Sequence, residues 1–182
     1  TTLFRCVEEQ KCSPKMMAWG AMSGSCLSEL HLVPAKSSVD GAYYQENILE
    51  KHLLPMFDRT RSTGPLTERK LLHSMSDSTF MQDGARAHTA ISTTKWLDEH
   101  QIPFWGKDVW PPNSPDLNPI ENLWAIMEDI TFDRRVQPRS LQELETALKD
   151  DWKKIKLETL ERLYLSLPDR VKDVVKCRGD YP

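Results

Sequence analysis

Two rhythms of apolar and polar residues run along this chain. Lys15 to Ser23 (KMMAWGAMS) is a short apolar run closed by small polar residues, which predicts a buried strand, with Met16 and Met17 both in the core. Leu27 to Val33 (LSELHLV) alternates polar with apolar and stops at Pro34; with Gly24 and Ser25 between them, the two runs predict a hairpin. Val39 to Met56 changes rhythm. Tyr43, Tyr44, Ile48, Leu49, His52, Leu53 and Met56 recur at helical spacing. From Phe57 to about Ser78 the chain turns polar, and Ser62-Thr63-Gly64-Pro65 marks an exposed loop with a short helix expected at Leu66 to His73. Thr79 to Gln82 reads as a buried strand, Ala87 to His100 as a helix with Ile91, Trp96 and Leu97 as core contacts, and Ile102 to Trp105 as a short strand.

Three later helices carry start signals. Asn118 fits an N-cap, with Pro119 at the first helical position and Glu121 at the third. Ser140 with Glu143 forms a capping-box pattern ahead of Leu144, Leu148 and Trp152, and Ser166 with Asp169 repeats it around Pro168. The order is strand, strand, helix, strand, helix, strand and then helices. That is an α/β layer pattern in which a hairpin precedes a β-α-β unit. Residues 1–14 read as an irregular N-terminal segment, 15–135 as the body of the domain and 136–182 as its helical C-terminal extension.

A chain of 182 residues is long enough for one domain with a real core. Its formal net charge is -3, so strong non-specific affinity for DNA is not expected from bulk charge. Local basic clusters, such as Arg134, Arg135 and Arg139, read as solvated faces. Cys6, Cys12, Cys26 and Cys177 form no C-x-x-C pair and match no zinc template, which suits reduced thiols in an intracellular, non-secreted protein. No long apolar run suggests a membrane span, and no Gly-rich phosphate loop, H-E-x-x-H motif or nucleophile elbow is present. The chain opens on Thr1 rather than Met, which suits a piece of a longer protein.

Two stretches carry candidate chemistry. In FMQDGARAH (Phe80 to His88) an apolar run ends in Asp83, and strand ends in open α/β sheets are common ligand sites. In WPPNSPDLNPIENLW (Trp110 to Trp124) a proline-stiffened loop runs into a helix with Glu121 in its first turn. Carboxylates on two rigid elements suffice for a hard divalent ion, which prefers oxygen ligands and keeps several waters. Such ions activate an oxygen nucleophile and stabilise a leaving oxygen in phosphodiester chemistry. Each acid also has a plain structural role open to it: Asp83 as a turn residue, Glu121 as the partner of Asn118 in a helix cap, Asp116 as a turn former after Pro115. His88, five residues after Asp83, suits contact with a phosphate or carboxylate, or a structural place on its helix. Trp110 and Trp124 read as core anchors.

Together VWPPNSPDLNPIENLW, FMQDGARAH and KMMAWGAMSG resemble the catalytic domain of mariner-type transposases, the DDE superfamily endonucleases with an RNase H-like fold. The resemblance runs from about residue 15 to the helical tail. It implies a mixed sheet flanked by helices, and it makes Asp83 the second and Glu121 the third catalytic acid, both as ligands of Mg²⁺ or Mn²⁺. Asn122, His88 and Asp116 become site neighbours, Asp116 as a structural residue of its motif. Thirty-seven residues lie between the two acids, as in the longer-spaced subgroup of the family. The implied activity of the intact parent is DNA end cleavage and strand transfer. Transposon ends and target DNA are its partners, a homodimer its expected assembly and the nucleus its place of work; no membrane and no small-molecule cofactor enter.

One departure matters. The family carries a first catalytic aspartate on the strand ahead of the W-G-x-x-S strand, yet no Asp occurs here before Asp40, which opens the helix after Pro34. No first catalytic aspartate is therefore assigned. The sheet is expected to lack its first strand and to leave an open edge, metal affinity is expected to be weak, and the chain is expected to be inactive alone. The competing reading is a degenerate or domesticated relic, kept as a non-catalytic nucleic-acid or protein binding module.

Overall fold

The computed structural model describes residues 2–5, 15–57, 78–106, 109 and 114–177. Three strands, β1 (Thr2–Arg5), β2 (Lys15–Trp19) and β3 (His31–Val33), form an antiparallel sheet in the order β1-β2-β3. Thr2 pairs with Ala18 and Arg5 with Lys15; Met17 pairs with Val33 and Trp19 with His31. Residues 2–5 are thus a strand rather than irregular chain. They take the edge of β2 that the sequence left open, so backbone donors expected to face solvent there are paired. β2 and β3 meet as the predicted hairpin, although β2 ends at Trp19 and the connection narrows through an isolated bridge between Met22 and Leu27. Ser23 shapes that turn, its hydroxyl accepting from the backbone N–H groups of Ser25 and Cys26.

The pleat of β2 divides the core in two. Met16 and Ala18 point to one side and join Leu123, Trp124, Met127, Leu144, Leu148 and Trp152; Trp19 and Ala21 point to the other and join Tyr44, Ile48, Leu49, Leu53 and Leu97. Met17 lies on the second side but at the start of the strand, where it is 36% exposed rather than in the core. The predicted strands at 79–82 and 102–105 are reduced to one parallel bridge between Phe80 and Phe104. Phe80 N donates to Pro103 O at 2.6 Å, and Trp105 N to Phe80 O at 3.2 Å.

The helix expected from Val39 to Met56 is wound in three ways. Asp40 caps α1 (Gly41–Tyr43) by accepting from Tyr43 N at 2.8 Å. The chain continues as a wider π-wound helix at Tyr44–Leu53 and tightens into a 3-10 turn at Leu54–Phe57, where Pro55 has no N–H to extend the ladder. The expected helix from Ala87 to His100 is broken into α2 (Arg86–Thr89) and α3 (Ile91–Glu99) at Ala90. Side chains take the carbonyls that a continuous helix would use: Thr93 Oγ1 donates to Ala87 O at 2.7 Å and Gln82 Nε2 to His88 O at 3.2 Å. After the break Ile91 faces solvent, 86% exposed, while Leu97 is fully buried. The short helix expected at 66–73 and the core role of Trp110 lie outside the described residues.

Three helices complete the fold: α4 (Pro119–Phe132), α5 (Leu141–Lys153) and α6 (Leu157–Lys176). α4 begins as predicted, with Asn118 Oδ1 accepting from Ile120 N. α5 begins at Ser140, whose hydroxyl accepts from Glu143 N at 3.1 Å while Glu143 accepts from Arg139 N at 2.7 Å. The third expected start is overturned. Ser166 lies inside α6 and donates to Leu163 O at 2.8 Å, with Pro168 also internal. Burial of Leu160 and Leu163 against the core draws the chain into helix well before Ser166. Among the described residues, no helix is long and apolar enough to cross a membrane.

Two contacts lock the C-terminal helices to the sheet. Trp124 and Trp152 stack with ring centroids 5.2 Å apart, and Trp152 Nε1 donates to Ser28 O at 2.8 Å. Both indoles close over Gly20, where an added Cβ would lie 2.8 Å from Trp152 and 2.9 Å from Trp124. Buried Asp151 ties α5 to the end of α4. It accepts from Arg134 through both carboxylate oxygens (2.9 and 2.8 Å), from Thr131 Oγ1 (3.1 Å) and from Lys154 Nζ (2.8 Å). Burial alone would push its pKa up, but these donors overcome that and hold it below the usual carboxylate range.

Gly20→Ala is expected to lower stability by about 1–3 kcal/mol, because the indoles cannot retreat from a close-packed core. Urea denaturation of the two proteins checks this, and an unchanged midpoint would mean that the rings have room to move. Asp151→Ala is expected to cost about 2–3 kcal/mol in the same measurement, since Thr131 and Arg134 would lose their shared acceptor.

Candidate active site

Asp83 sits three residues beyond Phe80, in the loop that leads from the parallel bridge into α2. Its carboxylate makes the local turn by accepting from Ala85 N at 3.0 Å. Gly84 is not in the left-handed region, so the turn owes nothing to glycine's special freedom. The same Asp83 oxygen, Oδ1, accepts from His88 Nδ1 at 2.6 Å. The His88 bond is the main reason that the Asp83 pKa is held well below the ordinary value; burial opposes this and the Ala85 N–H assists. Among the described residues, Oδ2 takes no hydrogen bond. The Asp83 side chain is half exposed, and His88 beneath it is buried.

Glu121 occupies the first turn of α4, where the sequence put it. Its backbone N–H donates to Asn118 O at 3.1 Å, but its carboxylate makes no hydrogen bond among the described residues and does not complete a capping box. Burial raises its pKa, the positive charge of the N-terminus opposes this, and the negative charge of Asp83 adds to the rise, leaving the net shift upward. The two acids therefore lie within one another's field although thirty-seven residues separate them in the chain. Trp124, one helical turn on, anchors this end of α4 to the sheet.

The other candidates differ. His88 is brought onto Asp83. Asn122 is half-buried beside Glu121 and makes no hydrogen bond among the described residues. Asp116 lies in a 3-10 turn at Pro115–Leu117, and its contact to the rest of the fold is through its carbonyl, which accepts from Arg170 Nη1 at 3.0 Å. That contact ties the proline-rich loop to α6. Sequence reasoning passed over Tyr44 and Gln82 as site residues. Tyr44 was legible only as a core position of its helix, yet its ring lies 4.5 Å from that of His88 and its hydroxyl donates to Gln82 Oε1 at 3.0 Å. The adjacency of Gln82 to Asp83 was the available signal.

The donor set can be tested against a divalent cation. Two carboxylates with an oxygen free of protein hydrogen bonds suit a hard ion that keeps several waters. A cation held by both would offset the burial and the Asp83 charge that raise Glu121 and would take up the unbonded Asp83 oxygen. Among the described residues, no group of three or more His, Cys, Asp or Glu side chains could hold a metal. Among the described residues, the candidate ligands therefore amount to these two.

The fold defines a class first. It superposes on the catalytic domain of Mos1 transposase, solved with raltegravir and Mn, with a TM-score of 0.71 at 22% identity, covering 92% of this chain and 78% of that one. A Mos1 paired-end complex with left transposon end gives 0.73 at 20% identity, covering 96% of this chain and 47% of that one. The architecture is RNase H-like. Residues 57–145 match the DDE superfamily endonuclease family, and along most of its length the chain is similar to the Tc3 and Tc1 transposases. The Tc3 transposase of Caenorhabditis elegans is 31% identical over 166 residues, 91% of this chain and 44% of that protein. The chain spans about half the length of the curated relatives it matches.

Opposite effects on stability are expected from the two acids. Asp83, whose folded pKa is depressed, stabilises the fold above its unfolded value of about 3.9, and that contribution is lost as pH falls through the folded value. Glu121, whose folded pKa is raised, opposes folding when ionised. Asp83→Asn should therefore lower the neutral-pH denaturation midpoint and flatten its fall below about pH 4, while Glu121→Gln should raise the midpoint. Thermal scans from pH 7 down to pH 2 check both signs; parallel curves for wild type and Asp83→Asn would show that the His88 bond contributes nothing.

Proposed function

We propose that this chain is a large part of the catalytic domain of a DDE transposase, whose intact form cuts DNA at transposon ends and joins the 3′ hydroxyl to target DNA. The observation that carries this reading is the pair of carboxylates, Asp83 in the loop after the Phe80–Phe104 bridge and Glu121 in the first turn of α4, which lie within one another's field in an RNase H-like fold. The match to the DDE superfamily endonucleases spans both residues. Transposon-end DNA and a divalent cation, Mg²⁺ or Mn²⁺, are the partners this reading requires, with a second copy of the chain in the synaptic assembly and the nucleus as its setting.

Asp83 and Glu121 would hold the cation. When bound, it would activate a water or a DNA 3′ hydroxyl and neutralise charge on the scissile phosphate. The chain's own residues contribute position and charge. Asp83 is kept ionised by His88 and Ala85 N–H, and half exposure leaves it open to an approaching strand. Glu121 is fixed by the Asn118 cap below it and the Trp124 anchor beyond it. Asp129 lies eight residues further along α4, about 12 Å away on the helix, and is too distant to serve as a third ligand.

A second reading rests on the absence of a third acid among the described residues. It holds that the chain is a relic that binds without cutting. The two readings separate in one experiment. A form of the protein extended to the length of its relatives is incubated with end-sequence DNA and Mg²⁺ or Mn²⁺. Nicking that needs the metal and vanishes in Asp83→Asn and in Glu121→Gln is the expected result. Nicking that survives either change removes that residue from the reaction, and no nicking under any condition leaves the relic reading standing.

A further inference from the structure

We propose that Tyr44, Gln82 and His88 form an orienting circuit that commits one oxygen of Asp83 to the protein and reserves the other for the cation; the inference rests on the metal reading above. Three hydrogen bonds link the circuit. Tyr44 Oη donates to Gln82 Oε1 at 3.0 Å, Gln82 Nε2 donates to His88 O at 3.2 Å, and His88 Nδ1 meets Asp83 Oδ1 at 2.6 Å. The Tyr44 ring, itself fully buried, packs on the imidazole with centroids 4.5 Å apart and planes tilted by 38°. Each member therefore fixes the next. The tyrosine sets both the amide and the ring plane, the amide sets the backbone of His88, and the imidazole sets the carboxylate.

The circuit explains three features together. A carboxylate acceptor at Oδ1 selects the tautomer of His88 that carries its proton on Nδ1. Oδ1 is occupied twice, by His88 and by Ala85 N, so Oδ2 is the oxygen left to bind outward and Asp83 is a one-oxygen ligand. The break between α2 and α3 acquires a purpose, because the His88 carbonyl is free for Gln82 only where the helical ladder stops. Gln82 and His88 are thus positioning residues, and Tyr44 is the buried post that holds them.

The test is Mn²⁺ binding by the full chain, read by electron paramagnetic resonance and free of any activity assay. His88→Phe keeps an aromatic ring on Tyr44 and removes the donor; it should weaken Mn²⁺ binding about 10–100-fold. His88→Asn places an amide N–H near the position of Nδ1 and should restore most of that loss. Tyr44→Phe, which keeps the ring and removes the hydroxyl, should give a smaller loss. Thermal midpoints measured without metal show that each variant folds. Mn²⁺ affinity equal to wild type in folded His88→Phe, with affinity lost in Asp83→Asn, would overturn the circuit and leave the metal reading intact. Equal loss in His88→Phe and His88→Asn would also overturn it. Unchanged affinity in both Asp83→Asn and Glu121→Gln would overturn the metal reading, and the circuit with it.

Discussion

The absence of a side chain at Gly20 governs the placement of α4 and α5 on the sheet. Two indoles, from Trp124 and Trp152, meet over that position at distances no Cβ could tolerate. Trp152 is then pinned by its bond to the Ser28 carbonyl, 124 residues away in the chain. With α5 seated in this way, α4 has one place to lie, stacked through Trp124 and tied to α5 by the Arg134–Asp151 pair at its far end. Glu121 precedes Trp124 by three residues, so it projects from a helix whose depth and rotation are already set. Glu121 inherits its placement from a packing contact rather than from polar contacts of its own.

Asp83 is placed by different means. Its element is short, a single parallel bridge, and its loop has no proline to stiffen it. Order comes from polar contacts: the Ala85 N–H, the buried imidazole and the tyrosine beneath that. The two acids thus stand on unlike foundations, one hydrophobic and remote, the other hydrogen-bonded and local. Removing an apolar anchor costs the whole fold, whereas removing a polar contact near Asp83 re-aims one side chain. Mutational effects on stability and on cation binding are expected to separate along that line.

Most of the architecture was readable in the residues because it is amphipathic and local. The helical rhythm at Tyr44, Ile48, Leu49 and Leu53, and that at Leu144, Leu148 and Trp152, marks buried faces correctly. The caps at Asn118 and Ser140 are where their side chains said they would be. The failures share a cause. Ser166 and Asp169 have the spacing of a cap, but spacing cannot tell a helix start from a helix interior when Leu160 and Leu163 are already committed to the core. Ile91 has the periodicity of a core residue, but side chains of Thr93 and Gln82 stop the preceding helix and turn it outward. The strand at 2–5 has no strong alternation and forms because β2 offers it an edge. Asp83 and Glu121 were visible as acids at the ends of rigid elements, whereas the packing of Tyr44 under His88 joins residues whose sequence neighbours give no hint of it.

The unequal electrostatics of the two carboxylates bear on how such a site persists. His88 stabilises the ionised form of Asp83, and that negative charge then works against ionisation of Glu121, which burial already disfavours. A fold selected for stability alone would neutralise one of the pair or give Glu121 a donor, as Asp151 has four hydrogen bonds from three side chains in the same domain. Glu121 has none among the described residues. An acid left in that state lowers stability at neutral pH, and an added positive charge would offset that cost. The arrangement therefore favours a cation as a further partner, because it would offset the charge of both acids while leaving Asp83 bound to His88.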